Sequence, residues 1–196
     1  MPRRDIRFES DQVYHIYNRG NNRQAVFFED SNYLYFLQGI KKYLLDTMVI
    51  IAYCLMPTHY HILVRVKAQT SEVCSLAMQK LIISYTKAIN KRFDRVGALF
   101  QGQFNAEPIV TDRHLIALCI YIHANPVKDG LVALPEEWPY SNYLEWMDLR
   151  HGTLVERAFV SERFGTPQTY QALVMDYIKT RKLSEEVRAY VQALES

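Results

Sequence analysis

The feature that most constrains this sequence is a pair of apolar, β-prone runs separated by only three residues. The first run is Met48 to Leu55, the second is His59 to Val66, and Met56-Pro57-Thr58 lies between them. Runs of this length and composition are typical of strands, and a proline at the break is typical of a turn. The sequence therefore predicts a β-hairpin with Pro57 at its turn.

Two further elements are predicted on either side of this hairpin. Val13 to Asn18 is rich in β-branched and aromatic residues and ends at a turn-forming cluster, which predicts a first strand followed by a polar loop. Asp30-Ser31 is expected to cap a helix that runs to about Leu45. Apolar residues at helical spacing predict a second helix from Val73 to about Arg92, with lysines on its outer side.

The next segment predicts a fourth strand and a third helix. Phe104 to Val110 is a short strand, and its Pro108 would confine it to a sheet edge or a bulge. The helix begins at an Asp112 cap and should stop near Asn125, because Pro126 disfavours helical geometry in the residue before it. This order of elements indicates an α+β sandwich, in which helices pack on an antiparallel sheet.

The chain changes character beyond Trp138-Pro139-Tyr140. Two more helices are predicted there, from Tyr170 to about Thr180 and from Ser184 to Leu194, with balanced charge and no metal-type cluster. We expect one domain over residues 1–145 and a C-terminal helical extension over residues 146–196.

Composition excludes several classes of protein. The chain is 49% hydrophobic with 14 Tyr and 9 Phe, so it is globular and many of its tyrosines are structural. No apolar run approaches the ~20 residues that span a bilayer, and the start lacks the core of a secretory signal, so we expect a cytoplasmic protein without membrane contact. The three cysteines stand in apolar stretches, which favours buried thiols over disulfides.

Charge is unevenly distributed, although the net charge is only +2. Residues 65 to 104 carry seven basic side chains against two acidic ones, a local net charge of +5. A solvated helix face is one interpretation of this cluster, and a nucleic-acid-binding surface is the other.

Two histidines alternate along the predicted strand after the turn. His59 and His61 should lie on one sheet face, while Tyr60, Ile62 and Val64 lie on the other and enter the core. At this spacing both imidazoles can reach one divalent ion. The alternative is a pair of partly exposed histidines without a chemical role, which is common for an isolated motif of this kind.

Tyr121 and Asn125 are one turn apart on the predicted third helix and therefore share a face. The amide oxygen of Asn125 is a candidate third metal ligand, and a phenol beside a metal is a candidate nucleophile towards a phosphate. A tyrosine in an apolar helix is more often part of the core, so the spacing leaves both interpretations open.

Four sequence blocks resemble known enzymes. AYCLMPTHYHILV (52 to 64) resembles the histidine, hydrophobe, histidine element of the HUH endonucleases. YIHANPVKDGLV (121 to 132) followed by WPYSNY (138 to 143) resembles the tyrosine helix and following turn of the REP-associated tyrosine transposases. YNRGNNRQAVFF (17 to 28) and GALFQGQFNA (97 to 106) match the same group. The blocks occur in the order of that family, which makes the resemblance specific.

This resemblance implies a ferredoxin-like or RRM-like fold and an HUH transposase that nicks and joins single-stranded DNA. The implied intermediate is a covalent 5′-phosphotyrosine that leaves a free 3′-hydroxyl. Tyr121 matches the nucleophile, His59 and His61 match the metal pair, and Asn125 matches the polar residue that assists with the metal. The implied cofactor is a divalent ion, Mg²⁺ or Mn²⁺.

The resemblance also gives the basic segments a role. Six side chains are candidate phosphate contacts: Arg19, Arg23, Lys87, Lys91, Arg92 and Arg95. The implied partner is single-stranded DNA in hairpin-forming repeats, bound by a monomer in preference to a dimer. Two other functions stay open from the sequence: an RRM-like nucleic-acid-binding regulator that has lost catalysis, and a metal-dependent hydrolase without a covalent step.

Overall fold

The computed structural model of the protein describes residues 7–67 and 70–195. Its first elements are β1 (Val13–Arg19), α1 (Asp30–Tyr43), β2 (Met48–Met56), β3 (His59–Val66), α2 (Ser71–Arg92) and β4 (Asn105–Ile109). The later elements are all helices: α3 (Asp112–Lys128), α4 (Tyr143–Trp146), α5 (Arg157–Phe164), α6 (Pro167–Thr180) and α7 (Glu185–Glu195). No helix within residues 7–67 and 70–195 is long and apolar enough to cross a membrane.

The four strands form one sheet in the order β2-β3-β1-β4. Together with the β-α-β-β-α-β order of the chain, this is the arrangement of a ferredoxin-like fold, so the predicted α+β class is confirmed. The predicted hairpin is confirmed as well, since β2 ends at Met56 and β3 begins at His59. β4 lies at an edge of the sheet, which is where its Pro108 was expected to confine it.

The described residues divide into two compact units, one with residues 7–51, 55–67 and 70–108 and the other with residues 52–54 and 109–195. In the first unit α1 and α2 pack on one face of the sheet. Tyr60, Ile62 and Val64 are fully buried on that face, and the Phe36 ring of α1 lies 5.1 Å from the Tyr60 ring. The division of the sequence at residue 145 concerns where a family domain ends, and it stays a prediction.

The helix starts differ slightly from those predicted. α1 is capped by Glu29, not by Asp30-Ser31, because the Glu29 side chain and Asn32 form a reciprocal capping box. α3 is capped by Thr111, not by Asp112, since the Thr111 hydroxyl accepts a hydrogen bond from the His114 N–H at 3.1 Å.

The predicted end of α3 near Asn125 is wrong. The helix continues through Pro126 to Lys128. Its last turn is closed by the Asp129 N–H, which donates to the Asn125 carbonyl at 2.9 Å, and by the Leu131 N–H, which donates to the Pro126 carbonyl at 2.9 Å. Proline lacks a backbone N–H and so removes one hydrogen-bond donor from the helix. Because Pro126 lies in the last turn, no later turn of the helix is disturbed.

Asn142, in the WPYSNY block, protects the edge of β2 in the second unit. The Tyr53 N–H donates to the Asn142 side-chain oxygen at 2.7 Å, and Cys54 forms an isolated antiparallel bridge with Ser141. An unpaired strand edge is a site for unwanted pairing with other chains, so this block closes an edge that would otherwise be available.

His123 lies at the centre of the second unit and is fully buried. Its Nδ1 is 2.7 Å from the Tyr170 hydroxyl of α6, and its Nε2 is 2.9 Å from the Asn142 side-chain oxygen. Because Asn142 offers an acceptor and Tyr170 a donor, a neutral imidazole satisfies both contacts. The Trp146 ring completes the cluster, with its centroid 4.9 Å from that of His123. One imidazole thus joins the tyrosine helix to the C-terminal region.

We expect this imidazole to make the second unit sensitive to acid. Burial lowers the pKa of His123 from 6.5 to about 4. Between these two pH values the unfolded chain binds a proton at this imidazole and the folded chain does not. The contribution of the neutral His123 imidazole to the free energy of unfolding is fully present above about pH 6.5 and is lost as the pH falls towards 4. The loss reaches about 3 kcal/mol once both states are protonated.

The measurement is urea unfolding between pH 7.5 and 4, monitored by tryptophan fluorescence. Trp146 lies beside His123 and is therefore a probe of this region. The variant His123→Gln should be less stable at neutral pH and should lack this part of the acid dependence. His151→Gln, which replaces an exposed imidazole, is the matched control and should keep the wild-type profile. An unchanged acid dependence in His123→Gln would contradict the assignment.

Candidate functional site

β3 brings His59 and His61 together on one face of the sheet. Their ring centroids are 5.0 Å apart, with the ring planes at 81°. His61 is 4% exposed, whereas His59, at the start of the strand, is half-buried. The expectation that both imidazoles share a face, opposite the core side chains, is confirmed.

Both imidazoles are oriented by a hydrogen bond at Nδ1. The Nδ1 of His59 is 2.9 Å from the Thr58 hydroxyl oxygen, and the Nδ1 of His61 is 2.9 Å from the Nε2 of His15. A histidine that donates a hydrogen bond through Nδ1 has its lone pair on Nε2, which is then the coordinating nitrogen, as is common at protein metal sites.

α3 carries the other two predicted residues on one face. Tyr121 is 1% exposed and Asn125 is fully buried. The Lys128 ammonium lies 5.3 Å from the centroid of the Tyr121 ring and 3.2 Å from a carboxylate oxygen of Asp129. A cation this close to an aromatic ring is attracted to its face and places positive charge next to the phenol.

The side chain of Asn125 carries the clearest sign of a missing partner. Neither its amide oxygen nor its amide nitrogen has a hydrogen-bond partner among the residues that the structure describes. A buried, unsatisfied amide costs about 1–3 kcal/mol, and a native protein rarely keeps one without a functional reason such as an ion. The Asn125 oxygen therefore has the character expected of a ligand to a bound cation.

The donor set fits a divalent ion of the Mg²⁺ or Mn²⁺ class. Over residues 7–67 and 70–195, no group of three or more His, Cys, Asp or Glu side chains is placed to hold a metal. Two imidazoles and an amide are a different kind of set: the amide oxygen suits Mg²⁺ and Mn²⁺, and the imidazole nitrogens favour the softer Mn²⁺ of the two. The histidines belong to the first compact unit and Tyr121 with Asn125 to the second, so the structure brings each pair together within its own unit.

Two loops that carry the resemblance blocks meet at the end of β1. The Asn21 N–H donates to the Leu99 carbonyl at 2.9 Å, and the Gln101 N–H donates to the Arg19 carbonyl at 2.8 Å. The Arg19 Nε also donates to the Gln101 side-chain oxygen at 2.8 Å. A Cβ on Gly20 would lie 1.9 Å from the Gln24 carbonyl oxygen, so the first loop can close only with glycine there. Gln101 thus has a structural role in orienting Arg19.

The six basic side chains predicted to contact DNA differ in their surroundings. Three make contacts within the first unit: Arg19 with Gln101, Arg92 with the Glu29 carboxylate at 3.3 Å, and Arg95 over the Phe28 ring at 5.5 Å. The other three are exposed, Arg23 in the loop after β1 and Lys87 and Lys91 on α2. Exposed ion pairs contribute little to stability, so the Glu29 contact leaves Arg92 able to exchange partners.

Sequence reasoning missed three residues that the structure connects to these groups. His15 stands in β1, and its period-two spacing with Tyr17 and Arg19 was the available signal. Lys128 lies two turns after Tyr121, a spacing that also predicts a shared face. His123 had no signal, because its partners come from distant parts of the chain.

The comparisons with known proteins point in one direction. The family model for IS200-like transposases matches residues 9–125. A putative REP-associated tyrosine transposase from Haemophilus influenzae is 26% identical over 102 residues, which are 47% of this chain and 57% of that protein. The chain thus spans little more than half the length of this curated relative.

A solved structure gives the same result for the fold. A REP-associated tyrosine transposase bound to a REP hairpin superposes with a TM-score of 0.61 at 19% identity, over 80% of this chain and 98% of that chain. The resemblance of the four sequence blocks is thereby confirmed. Because the family model matches more than half of the chain, the protein belongs to the IS200-like transposase family.

Proposed function

We propose that this protein is a metal-dependent transposase that nicks and joins single-stranded DNA through Tyr121. The observation that carries the proposal is the pair of adjacent imidazoles on β3, His59 and His61, each with Nδ1 engaged and the ring centroids 5.0 Å apart. In a chain of this family, such a pair is best explained as two ligands of one ion.

The Nε2 atoms of His59 and His61 and the amide oxygen of Asn125 would hold Mg²⁺ or Mn²⁺. When bound, such an ion supplies positive charge at a non-bridging oxygen of the scissile phosphate. The burial of Asn125 and the absence of a partner for its amide, within the described residues, support its place in this set.

Tyr121 performs the covalent step. Its phenolic oxygen attacks phosphorus in line, so a bond forms between the tyrosine oxygen and phosphorus while the bond from phosphorus to the 3′-oxygen breaks. The phenol gives up its proton, and the departing 3′-oxygen takes one up and becomes a hydroxyl. The Lys128 ammonium, 5.3 Å from the ring centroid, favours the negative charge that develops on the phenol oxygen.

The phosphotyrosine conserves the energy of the broken phosphodiester. A 3′-hydroxyl on the same or another strand therefore reverses the step and rejoins DNA without an external energy source. Nicking and joining are one reaction in two directions, which is the chemistry that a transposase needs.

The proposed substrate is a hairpin-forming single strand, by analogy with the related protein that was solved with a REP hairpin. Arg23, Lys87 and Lys91 are exposed and contact its phosphates, and Arg19, oriented by Gln101, adds a fixed guanidinium. We propose that the protein acts as a monomer in the cytoplasm.

A second candidate is a nucleic-acid-binding regulator without catalysis. The observation in its favour is the burial of Tyr121, whose side chain is 1% exposed, so DNA would have to displace neighbouring groups to reach the phenol. The two candidates differ in one product, the covalent complex of protein and DNA.

We expect Tyr121→Phe to abolish the covalent complex and to leave DNA binding intact, because only the attacking oxygen is removed. The measurement uses a labelled hairpin oligonucleotide with Mn²⁺, separated on a denaturing gel, with binding measured in parallel by fluorescence anisotropy.

Tyr60→Phe is the matched control, since Tyr60 is also fully buried but belongs to the core of the first unit, on the sheet face opposite to His59 and His61. This variant should form the complex at the wild-type rate. A covalent complex from Tyr121→Phe would overturn the assignment of the nucleophile, and no complex from the wild type on any hairpin tested would favour the regulator.

We expect Asn125→Leu to separate stability from activity. Leucine has the branched shape of asparagine, although it is larger, and removes the unsatisfied amide, so in EDTA the free energy of unfolding should rise by up to about 1–3 kcal/mol. Cleavage should fall at the same time, because a ligand is lost. Asn125→Asp, which keeps an oxygen donor, should retain cleavage. Unchanged cleavage in Asn125→Leu would contradict the role of Asn125 as a ligand.

A further inference from the structure

We infer that His15 is a positioning residue for the metal site: it accepts a hydrogen bond from the Nδ1–H of His61 and so fixes the tautomer in which Nε2 of His61 is a ligand. The inference rests on the proposed function, because it assigns a role within the same site. Nothing in the sequence blocks pointed to His15, which stands in the middle of a β-strand.

The position of His15 follows from the pairing of β1 with β3. The antiparallel register sets Tyr17 opposite His61 and His15 opposite Leu63, so His15 is the diagonal neighbour of His61 on the same face. Its side chain is fully buried, and its Nε2 lies 2.9 Å from the Nδ1 of His61. A buried polar contact of this length between two imidazoles is a hydrogen bond in which one ring donates and the other accepts.

Only one direction of this hydrogen bond is compatible with a metal at His61. If the Nδ1 of His61 accepted, its proton would sit on Nε2, and that nitrogen would have no lone pair for a cation. If the Nδ1 of His61 donates, Nε2 carries the lone pair. His15 must then accept through Nε2 and carry its own proton on Nδ1.

The two neighbouring rings hold the accepting ring in place. The His15 ring centroid lies 5.0 Å from that of His61, with the planes at 20°, and 5.0 Å from that of Tyr17, with the planes at 25°. A ring packed between two others in a buried site has little freedom to rotate. The Thr58 hydroxyl, 2.9 Å from the Nδ1 of His59, is the corresponding contact for the other imidazole.

The chemical identity of the acceptor matters. Metal-binding histidines commonly donate to a carboxylate, which adds negative charge to the site. A neutral imidazole fixes the tautomer equally well without adding charge, so the positive charge of the site stays available to a phosphate. A phosphodiester substrate is the ligand that benefits from such a choice.

Two substitutions at His15 separate the hydrogen bond from the packing. His15→Phe keeps a planar ring between Tyr17 and His61 but cannot accept a hydrogen bond. His15→Gln loses the ring but keeps an acceptor, since its side-chain oxygen reaches the position of the imidazole Nε2. A purely structural role of His15 predicts that Phe is the milder change, whereas the positioning role predicts that Gln is.

The first measurement is Mn²⁺ binding by the full chain without DNA, from the electron paramagnetic resonance signal of unbound Mn²⁺. Loss of an outer partner of a metal ligand weakens binding by roughly 10- to 100-fold, which is the expectation for His15→Phe. His15→Gln should bind close to the wild type. Thermal unfolding of each variant in EDTA controls for folding.

The second measurement needs no metal. Long-range ¹H–¹⁵N spectra of histidine-labelled protein report which ring nitrogen of His61 carries the proton. The expected tautomer is Nδ1–H in the wild type and in His15→Gln, with a shift towards Nε2–H in His15→Phe.

The outcomes distinguish this inference from the proposed function. If His61→Ala leaves Mn²⁺ affinity unchanged, the metal site itself fails and the inference fails with it. If His61→Ala abolishes binding but His15→Phe binds like the wild type, only the role of His15 is overturned. Equal weakening in His15→Phe and His15→Gln, with unchanged His61 tautomer, also overturns it, because that pattern indicates packing.

Discussion

The antiparallel pairing of β1 with β3 is the constraint on which the candidate site depends. Side chains alternate between the two faces of the sheet along both strands. A shift of the pairing register by one residue would therefore move all side chains of one strand to the opposite face. The observed register puts Tyr17 opposite His61 and Arg19 opposite His59. The same face therefore holds the imidazoles and the arginine expected at the DNA, while the other face, with Tyr60, secures the strand in the core.

A second constraint governs the tyrosine helix. His123 lies on α3 and contacts two residues from later in the chain. These are Asn142 and, in α6, Tyr170. The helix that carries Tyr121 and Asn125 is thus fixed within the second unit by its contact with α6. Pro126, one residue after Asn125, leaves the helix intact because it falls in the last turn.

Local patterns predicted most of the fold and the placement of each pair of candidate residues within its own element. Alternation along β3 placed His59 and His61 on one face, and helical spacing paired Tyr121 with Asn125, while the ordered blocks identified the family. The network around His123 and the contact of His15 with His61 were beyond such reasoning, because partners far apart in the chain meet only after folding. Helix boundaries failed at Glu29 and Thr111, where a neighbouring side chain offered the better cap.

The unsatisfied amide of Asn125 also has an evolutionary consequence. Stabilising substitutions often cost function where a site needs a destabilised group, and this cost disappears when activity is no longer selected. An apolar residue at position 125 is one such change, because it removes a buried polar group that has no partner among the described residues. Under the proposed role of Asn125 as a metal ligand, asparagine is expected at this position in relatives that keep the chemistry, and its loss would mark a relative that does not.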